Sequence, residues 1–284
     1  MKKFLLLIVC ALIFTSCNFT EEITFKEDGS GEFIMSYDLS EAMKVMNDMD
    51  KDEEEVEPEE QEGEADNQES EERNNQPNKR PGMKMDSTMY FKDMLVEKAD
   101  SISNLPQTEQ DRLRSLKDVV IKMKMDEDAG ILNFGVGSSF INISALPQAL
   151  EKIEQAKEMN SGNNREMSQM ENSAIAKASE NMFEYIDYKY NGKTFSRILK
   201  DNYKQSAEDV KALNAEISRM GESSEEQFNA MTYTLVYHFP RAVKSVSNNN
   251  ATLSDDKKTV TLKMNFIDML KTPAMMALDV VLEN

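Results

Sequence analysis

The sequence predicts an α+β fold: a largely antiparallel sheet built from β-hairpins, with interspersed helices and a disordered acidic insertion. Three observations predict it. Apolar and polar residues alternate on both sides of the turns at Asp28-Gly29, Asp128-Ala129-Gly130 and Asn191-Gly192, which is hairpin patterning. Capped helical stretches separate these hairpins without the regular strand–helix rhythm of a parallel sheet. Residues 50–86 are too polar to bury an apolar face, so nothing offsets the entropy of ordering them.

Taken in order, Ile23, Phe25, Phe33, Met35 and Tyr37 alternate around Glu27-Asp28-Gly29-Ser30-Gly31 and predict a hairpin over 22–37, about five residues after Cys17. Asp38-x-x-Glu41 reads as a capping box for a helix over Ala42 to Met49. Residues 50–72 hold fourteen Asp or Glu against one Lys, and a polar stretch follows up to Pro81-Gly82. A solvated loop is the favoured reading there, ahead of a cation-buffering or partner-binding arm. Ser87 to Ser103 and Thr108 to Lys117 read as helices, with Pro106 between them and Thr108-x-x-Asp111 as a cap.

Val119, Ile121, Met123 and Met125 alternate into a strand, and Ile131 to Val136 returns after Asp126-Glu127-Asp128-Ala129-Gly130. Gly135 and Gly137 weaken that return strand and suggest a bulge. Ser144 to Lys157 reads as a helix with Pro147 in its first turn. Strand, acidic Gly turn, strand and helix thus occur twice, a recurrence of pattern rather than of letters. After a polar break at 160–173, Phe183 to Tyr190 and Thr194 to Leu199 flank Asn191-Gly192, a type I′ turn signal. Ser206-x-x-Asp209 caps a helix running to Met220 and stopped by Gly221. Thr232 to Phe239 (ended by Pro240), Ala251 to Leu253, Val260 to Phe266 and Leu278 to Leu282 read as strands. The organisation expected is a signal peptide at 1–16, a hairpin-and-helix unit at 17–49, the insertion at 50–86 and the main body at 87–284.

The formal net charge of the 284 residues is −19. With no basic patch to displace counterions, nucleic-acid binding is excluded as an expectation. The N-terminus carries more information. Lys2 and Lys3 precede an apolar run of eleven residues, Phe4 to Phe14. That is shorter than the about 20 residues a membrane-spanning helix needs but suits a signal peptide. Cys10 lies inside this run, so cleavage before Cys17 leaves Cys17 as the single cysteine. No disulfide then forms within the chain, and the fold stands without covalent staples.

Phe14-Thr15-Ser16-Cys17 resembles the lipobox of bacterial lipoproteins. The resemblance implies cleavage before Cys17 and acylation of its sulfur, with the chain held to a membrane by lipid. Asn18 differs from the Asp that resembles an inner-membrane retention signal in enteric bacteria, which favours the outer membrane, on its periplasmic or surface face. Thr20-Glu21-Glu22 is similar to the surface-export signal of Bacteroidetes lipoproteins.

Chemistry-bearing constellations are few. A nucleophilic triad needs a nucleophile, a base and an orienter. The single histidine, His238, has no G-x-S-x-G partner in the sequence and reads as a strand residue facing solvent or a neighbour. With 52 acidic residues, no carboxylate pair stands out for glycosidase work. Asp126-x-Asp128-x-Gly130 begins like a calcium-binding EF-hand loop, but Gly130, Ile131 and Gly137 occupy positions five, six and twelve, where ligands and the turn glycine are needed. Met43, Met46 and Met49 recur at helical spacing and read as packing rather than as Cu(I) ligands. No catalytic residue, metal or cofactor is expected. Asp86-Ser87-Thr88 and Asp100-Ser101-Ile102 resemble the short glycosylation pattern of Bacteroidetes, which makes Ser87 and Ser101 candidate acceptors.

Residues 23–33, Ile-Thr-Phe-Lys-Glu-Asp-Gly-Ser-Gly-Glu-Phe, together with Phe239-Pro240 and Ser254-Asp255-Asp256, resemble uncharacterised Bacteroidetes-type lipoproteins. The early acidic-Gly hairpin and later strand-Pro element are also distantly similar to the LppM-type lipoprotein domain. That likeness implies an α+β domain associated with lipid binding at the envelope. The function expected is a lipid-anchored, non-catalytic envelope protein that binds or scaffolds. Its partners are the membrane, through Cys17, and an envelope protein or lipid ligand. Carriage of a lipid or glycolipid and an envelope hydrolase are the alternatives.

Overall fold

A computed structural model describes residues 18–41, 82–160, 175, 178, 185–201, 203, 206–219 and 229–284. The main-chain path alone is described for 154–160. The fold is α+β, as the sequence predicts, and its strands form two sheets.

The elements follow the alternation of the sequence. Strands β1 (Asn18–Phe25) and β2 (Gly31–Asp38) pair antiparallel, Ile23 opposite Phe33. Their connection is fixed locally: Gly29 takes φ 82°, and Asp28 Oδ1 accepts from Ser30 N at 3.0 Å. Strand β3 (Lys84–Tyr90) leads into short helices α1 (Phe91–Glu97), α2 (Ala99–Ser103) and α3 (Gln107–Ser115). Then come β4 (Val119–Asp126), β5 (Ile131–Phe140), a 3₁₀ turn and α4 (Leu146–Asn160). Next are β6 (Ile186–Tyr190), β7 (Thr194–Leu199), α5 (Ala207–Arg219) and β8 (Thr232–His238). The chain closes with β9 (Val243–Val246), β10 (Thr252–Leu253), β11 (Thr259–Asn265), α6 (Phe266–Lys271), a second 3₁₀ turn and β12 (Leu278–Leu282).

The large sheet has the order β10-β11-β8-β1-β2-β5-β4-β3, and the small one β6-β7-β12-β9. All pairs are antiparallel except β1 with β8. The first strand therefore sits near the middle of the large sheet. Alternate residues of β1 and β8 face the small sheet: Ile23, Phe25, Tyr233, Leu235 and Tyr237 are buried, as are Phe195, Leu278 and Val280 opposite them. The ring of Phe25 joins the layers, 5.3 Å from Phe195 and stacked at 5.4 Å on Phe239. Leu146, Ala149 and Ile153 of α4 belong to the same apolar core, beside β5.

Several local readings need correction. The first strand begins at Asn18, so no five-residue lead separates it from Cys17. Lys84 to Tyr90 is strand, so the expected insertion over 50–86 does not extend through Lys84–Asp86 and Ser87 to Tyr90 is not helix: Met85 and Met89 suit a helix face, but pairing of all seven β3 residues with β4 decides the conformation. Pro106, not Thr108, occupies the N-cap position of α3, and no side chain caps the helix there. Asn191-Gly192 does not make a type I′ turn, because only Gly192 has positive φ. Asn191 Oδ1 instead accepts from Lys193 N and Thr194 N, at 2.9 and 2.8 Å, closing a three-residue connection. Gly135 and Gly137 mark no bulge; β5 runs to Phe140 in unbroken register on both sides. The Ser206–Asp209 box does form, Asp209 N donating to Ser206 Oγ at 3.0 Å. The readings at Cys17, Ala42–Met49, 50–81, 161–173 and Gly221 lie outside the described residues.

Candidate functional site

Three places bring chemistry-bearing side chains together. The first is buried between the sheets. Glu21 follows the strand alternation of β1, in phase with Ile23 and Phe25, so it points at the small sheet and is fully buried. Its partner, Arg197, reaches it from β7, with Nη2 donating to Oε2 at 3.0 Å and Nε to Oε1 at 3.3 Å. Three tyrosines complete the shell. Tyr237 (2.6 Å) and Tyr188 (2.9 Å) donate to Oε1, and Tyr233 donates to Oε2 at 2.9 Å. No described buried side-chain nitrogen or oxygen lacks a partner.

Burial opposes ionisation of Glu21, yet the charge and hydrogen bonds of Arg197, with those of Tyr237 and Tyr233, hold its carboxyl below the usual range. Burial and the Glu21 charge push the three phenols well up. The knot is an ionised carboxylate saturated by donors, closed to solvent. Its chemistry is cohesion: two strands of one sheet and two of the other converge on one group.

The second place is the opposite, outer face of the large sheet. His238 Nε2 lies 3.0 Å from Glu22 Oε1, and Nδ1 lies 3.0 Å from Thr259 Oγ1. A carboxylate only accepts, so Nε2 donates to Glu22, while the threonine hydroxyl can either donate to Nδ1 or accept from it. Thr259 is directly opposite His238 in the β8–β11 ladder. The hydrogen bond from His238, ahead of the cost of burial, lowers the Glu22 carboxyl below its ordinary range. The order hydroxyl, imidazole, carboxylate is that of a nucleophile, a base and an orienter. The sequence reads His238 as a strand residue facing solvent or a neighbour; it ends β8 against Glu22 and Thr259, two partners no local signal names.

The third place is an open apolar face. On β3 every residue but Tyr90 is exposed, and Met85 and Met89 are 37% and 49% exposed. Directly opposed residues share a sheet face. Met85 faces Met125, which faces Leu132; Met123 faces Phe134, which faces Tyr37. All these β4 and β5 residues are only half-buried. This is the side of the sheet that carries Glu21, in its portion beyond the small sheet. Ile121, Phe134 and Tyr37 connect it to the core.

The remaining sequence candidates are placed as follows. Ser87 is exposed on β3 and Ser101 is exposed on α2. Asp126 ends β4 and Asp128 lies in the β4–β5 turn, where Lys84 Nζ takes both, at 3.2 and 3.4 Å. Among the described residues no three His, Cys, Asp or Glu side chains come together as metal ligands, and no helix is long and apolar enough to cross a membrane.

Comparison with known proteins adds one likeness. No protein-family model and no curated protein matches the chain. Among solved structures, the NMR structure of the folded domain of the Mycobacterium tuberculosis LppM protein aligns over 94% of this chain and 90% of that one. The chain is distantly similar to it. The TM-score is 0.32 and the identity 11%, a level that carries neither fold detail nor function across.

Proposed function

We propose that this chain is a lipid-anchored protein of the cell envelope, held through Cys17 at the outer membrane, that acts by binding or scaffolding rather than by catalysis. The observation that carries the reading is the N-terminal pattern: a positive start, an apolar run too short to span, and Phe14-Thr15-Ser16-Cys17. The fold is consistent with it, because the body begins one residue after the acceptor cysteine. The space between the sheets is occupied by the Phe25 ring cluster and the Glu21 knot. A carried lipid would therefore lie on a face of the protein rather than between its layers. The exposed Ser87 and Ser101 are the glycan acceptors on this reading.

Cys17→Ala tests the anchor directly. The wild-type chain should incorporate labelled palmitate and sediment with membranes, and the variant should do neither. Palmitate labelling retained in the variant would overturn the assignment.

The hydrolase reading has one observation in its favour, the Thr259–His238–Glu22 row. Loss of ester hydrolysis by the purified body in both Thr259→Val and His238→Ala would support it. Equal activity in all three proteins would remove it. Neither side chain is in the main core, so the fold should survive both substitutions.

A further inference from the structure

We infer that the Met-rich corner of the large sheet, formed by Met83, Met85, Met125 and Leu132, lies against the lipid bilayer that holds the anchor. The inference rests on the Cys17 reading and adds to it the surface through which the body meets the membrane.

The argument is one of register. Asn18 is opposite Asp38, Asp38 opposite Asn133, Asn133 opposite Lys124, and Lys124 opposite Asp86. That is one continuous row across five strands. The next row outward passes from Leu39, whose N–H donates to Leu132 O at 2.7 Å, through Met125 to Met85. In sequence, Cys17 immediately precedes Asn18, which stands in the first of these rows, so the anchor is tied to this end of the sheet. Consecutive Cα atoms are about 3.8 Å apart, leaving no linker to lift the body away. Four inter-strand spacings place β3 about 19 Å to the side of β1, close enough for one bilayer to touch both.

The first strand cannot swing. Asn18 is already paired with Asp38, its Oδ1 accepts from Thr232 Oγ1 at 2.6 Å, and the Phe19 ring stacks on Phe266 at 4.7 Å. The corner so positioned is apolar. Met83 is 55% and Met85 37% exposed, and Met83 O accepts from Glu127 N at 3.1 Å, so Met83 extends the β3 row. A flexible apolar row of this kind suits the irregular boundary between headgroups and acyl chains. The acids of the neighbouring turn are engaged: Asp126 and Asp128 by Lys84, and Glu127 by Met83 N at 2.7 Å.

The opposite end of the sheet provides the control. Ile141 follows the last residue of β5 and is 82% exposed. It stands about 30 Å along the strand from Ile131.

The test uses the lipidated full-length protein in phosphatidylcholine vesicles, a zwitterionic surface that does not repel the acidic turn. Met83→Cys, Met85→Cys and Ile141→Cys each carry an environment-sensitive fluorophore, and brominated acyl chains are the quencher. Flotation of the same samples reports the anchor separately. Quenching at positions 83 and 85 should exceed that at 141 by about twofold or more, because a docked apolar face sits about 5–10 Å into the headgroup boundary. Equal quenching at all three positions in floating protein overturns the docked corner and leaves the anchor standing. Failure to float overturns the anchor, and the corner with it. Shielding of 83 and 85 that is independent of lipid and accompanies a dimer or a bound protein also overturns the inference, since something other than the bilayer then covers the face.

Discussion

Glu21→Leu should cost about 3–5 kcal/mol, the price of leaving one buried charge without its partner. The guanidinium of Arg197 is almost entirely shielded and loses its carboxylate contacts at 3.0 and 3.3 Å. What remains to it is a long contact of 3.5 Å to Met276 O and the face of the Tyr188 ring, 5.7 Å from the guanidinium carbon. Domains of this kind are stable by about 5–15 kcal/mol, so the single substitution removes much of the margin. Adding Arg197→Met should recover part of the loss, because the second change removes the stranded charge. Recovery stays incomplete, since Tyr188, Tyr233 and Tyr237 still lack their common acceptor. Adding Tyr233→Phe and Tyr237→Phe should recover more. Urea unfolding of the four proteins measures this, and strictly additive losses would mean that the knot does not act as a unit.

The same knot sets a pH window. The Glu21 carboxyl is lower in the folded state than its ordinary value of 4.5. Its contribution is therefore complete above that value and lost as the pH falls through the lower folded one. The tyrosines act from the other side. Their folded values lie well above 10.0, so their contribution is complete below 10.0 and declines as the pH rises beyond it. Stability should thus be flat through neutrality and fall at both extremes. An ultraviolet titration should show that three of the eight tyrosines ionise only on unfolding.

What the sequence revealed follows the range of the forces involved. The hairpins around Gly29, Gly130 and Gly192 are legible because turn chemistry and period-two alternation act within ten residues. The strand at Ser87 is not legible, because its conformation comes from the ladder with β4 and its own spacing suits a helix. Helix α6 had a readable cap, Asn265 Oδ1 accepting from Asp268 N at 2.9 Å, which continuing the strand through Phe266 hid. Glu21 is the instructive case. Read next to Cys17, it is an acid near an anchor. Read in phase with Phe19, Ile23 and Phe25, it is an acid on the buried side of a strand. Its partners lie 167 to 216 positions away, so no local rule names them. The phase alone was available, and it demands a cation or several donors somewhere in the chain. The open methionine corner is likewise a property of strand order, since it joins Met83 and Met85 to residues some forty positions later.

Gly137→Ala should destabilise by at least about 1–3 kcal/mol, the usual cost of forcing extra volume into a packed site. Gly137 lies in β5 between Ile34 on β2 and Val120 on β4. A Cβ there would collide with the carbonyl oxygen of Phe33 and stand 2.6 Å from Ile34 Cδ1 and 2.8 Å from Ile34 Cα. Two of those three atoms are main chain, so no rotamer change clears the way. The glycine that reads as a weakness in the strand is thus the condition for β2 to approach it. Gly29→Ala is the comparison. Its φ of 82° disfavours a side chain, but nothing stands within 4 Å of the added atom, so the cost is the left-handed conformation alone, about 1–2 kcal/mol. Ile34→Ala separates the causes in Gly137→Ala. If the side chain were the obstacle, the double variant would regain the stability of Ile34→Ala alone. The main-chain collision predicts that it does not, and thermal unfolding of the four proteins decides. Because β2 lies between β1 and β5, a shifted β2–β5 contact would also loosen the strand next to the anchor. The Met85 row would then lose its alignment with the start of β1 at Asn18, and the quenching contrast between positions 85 and 141 should shrink in the same variant.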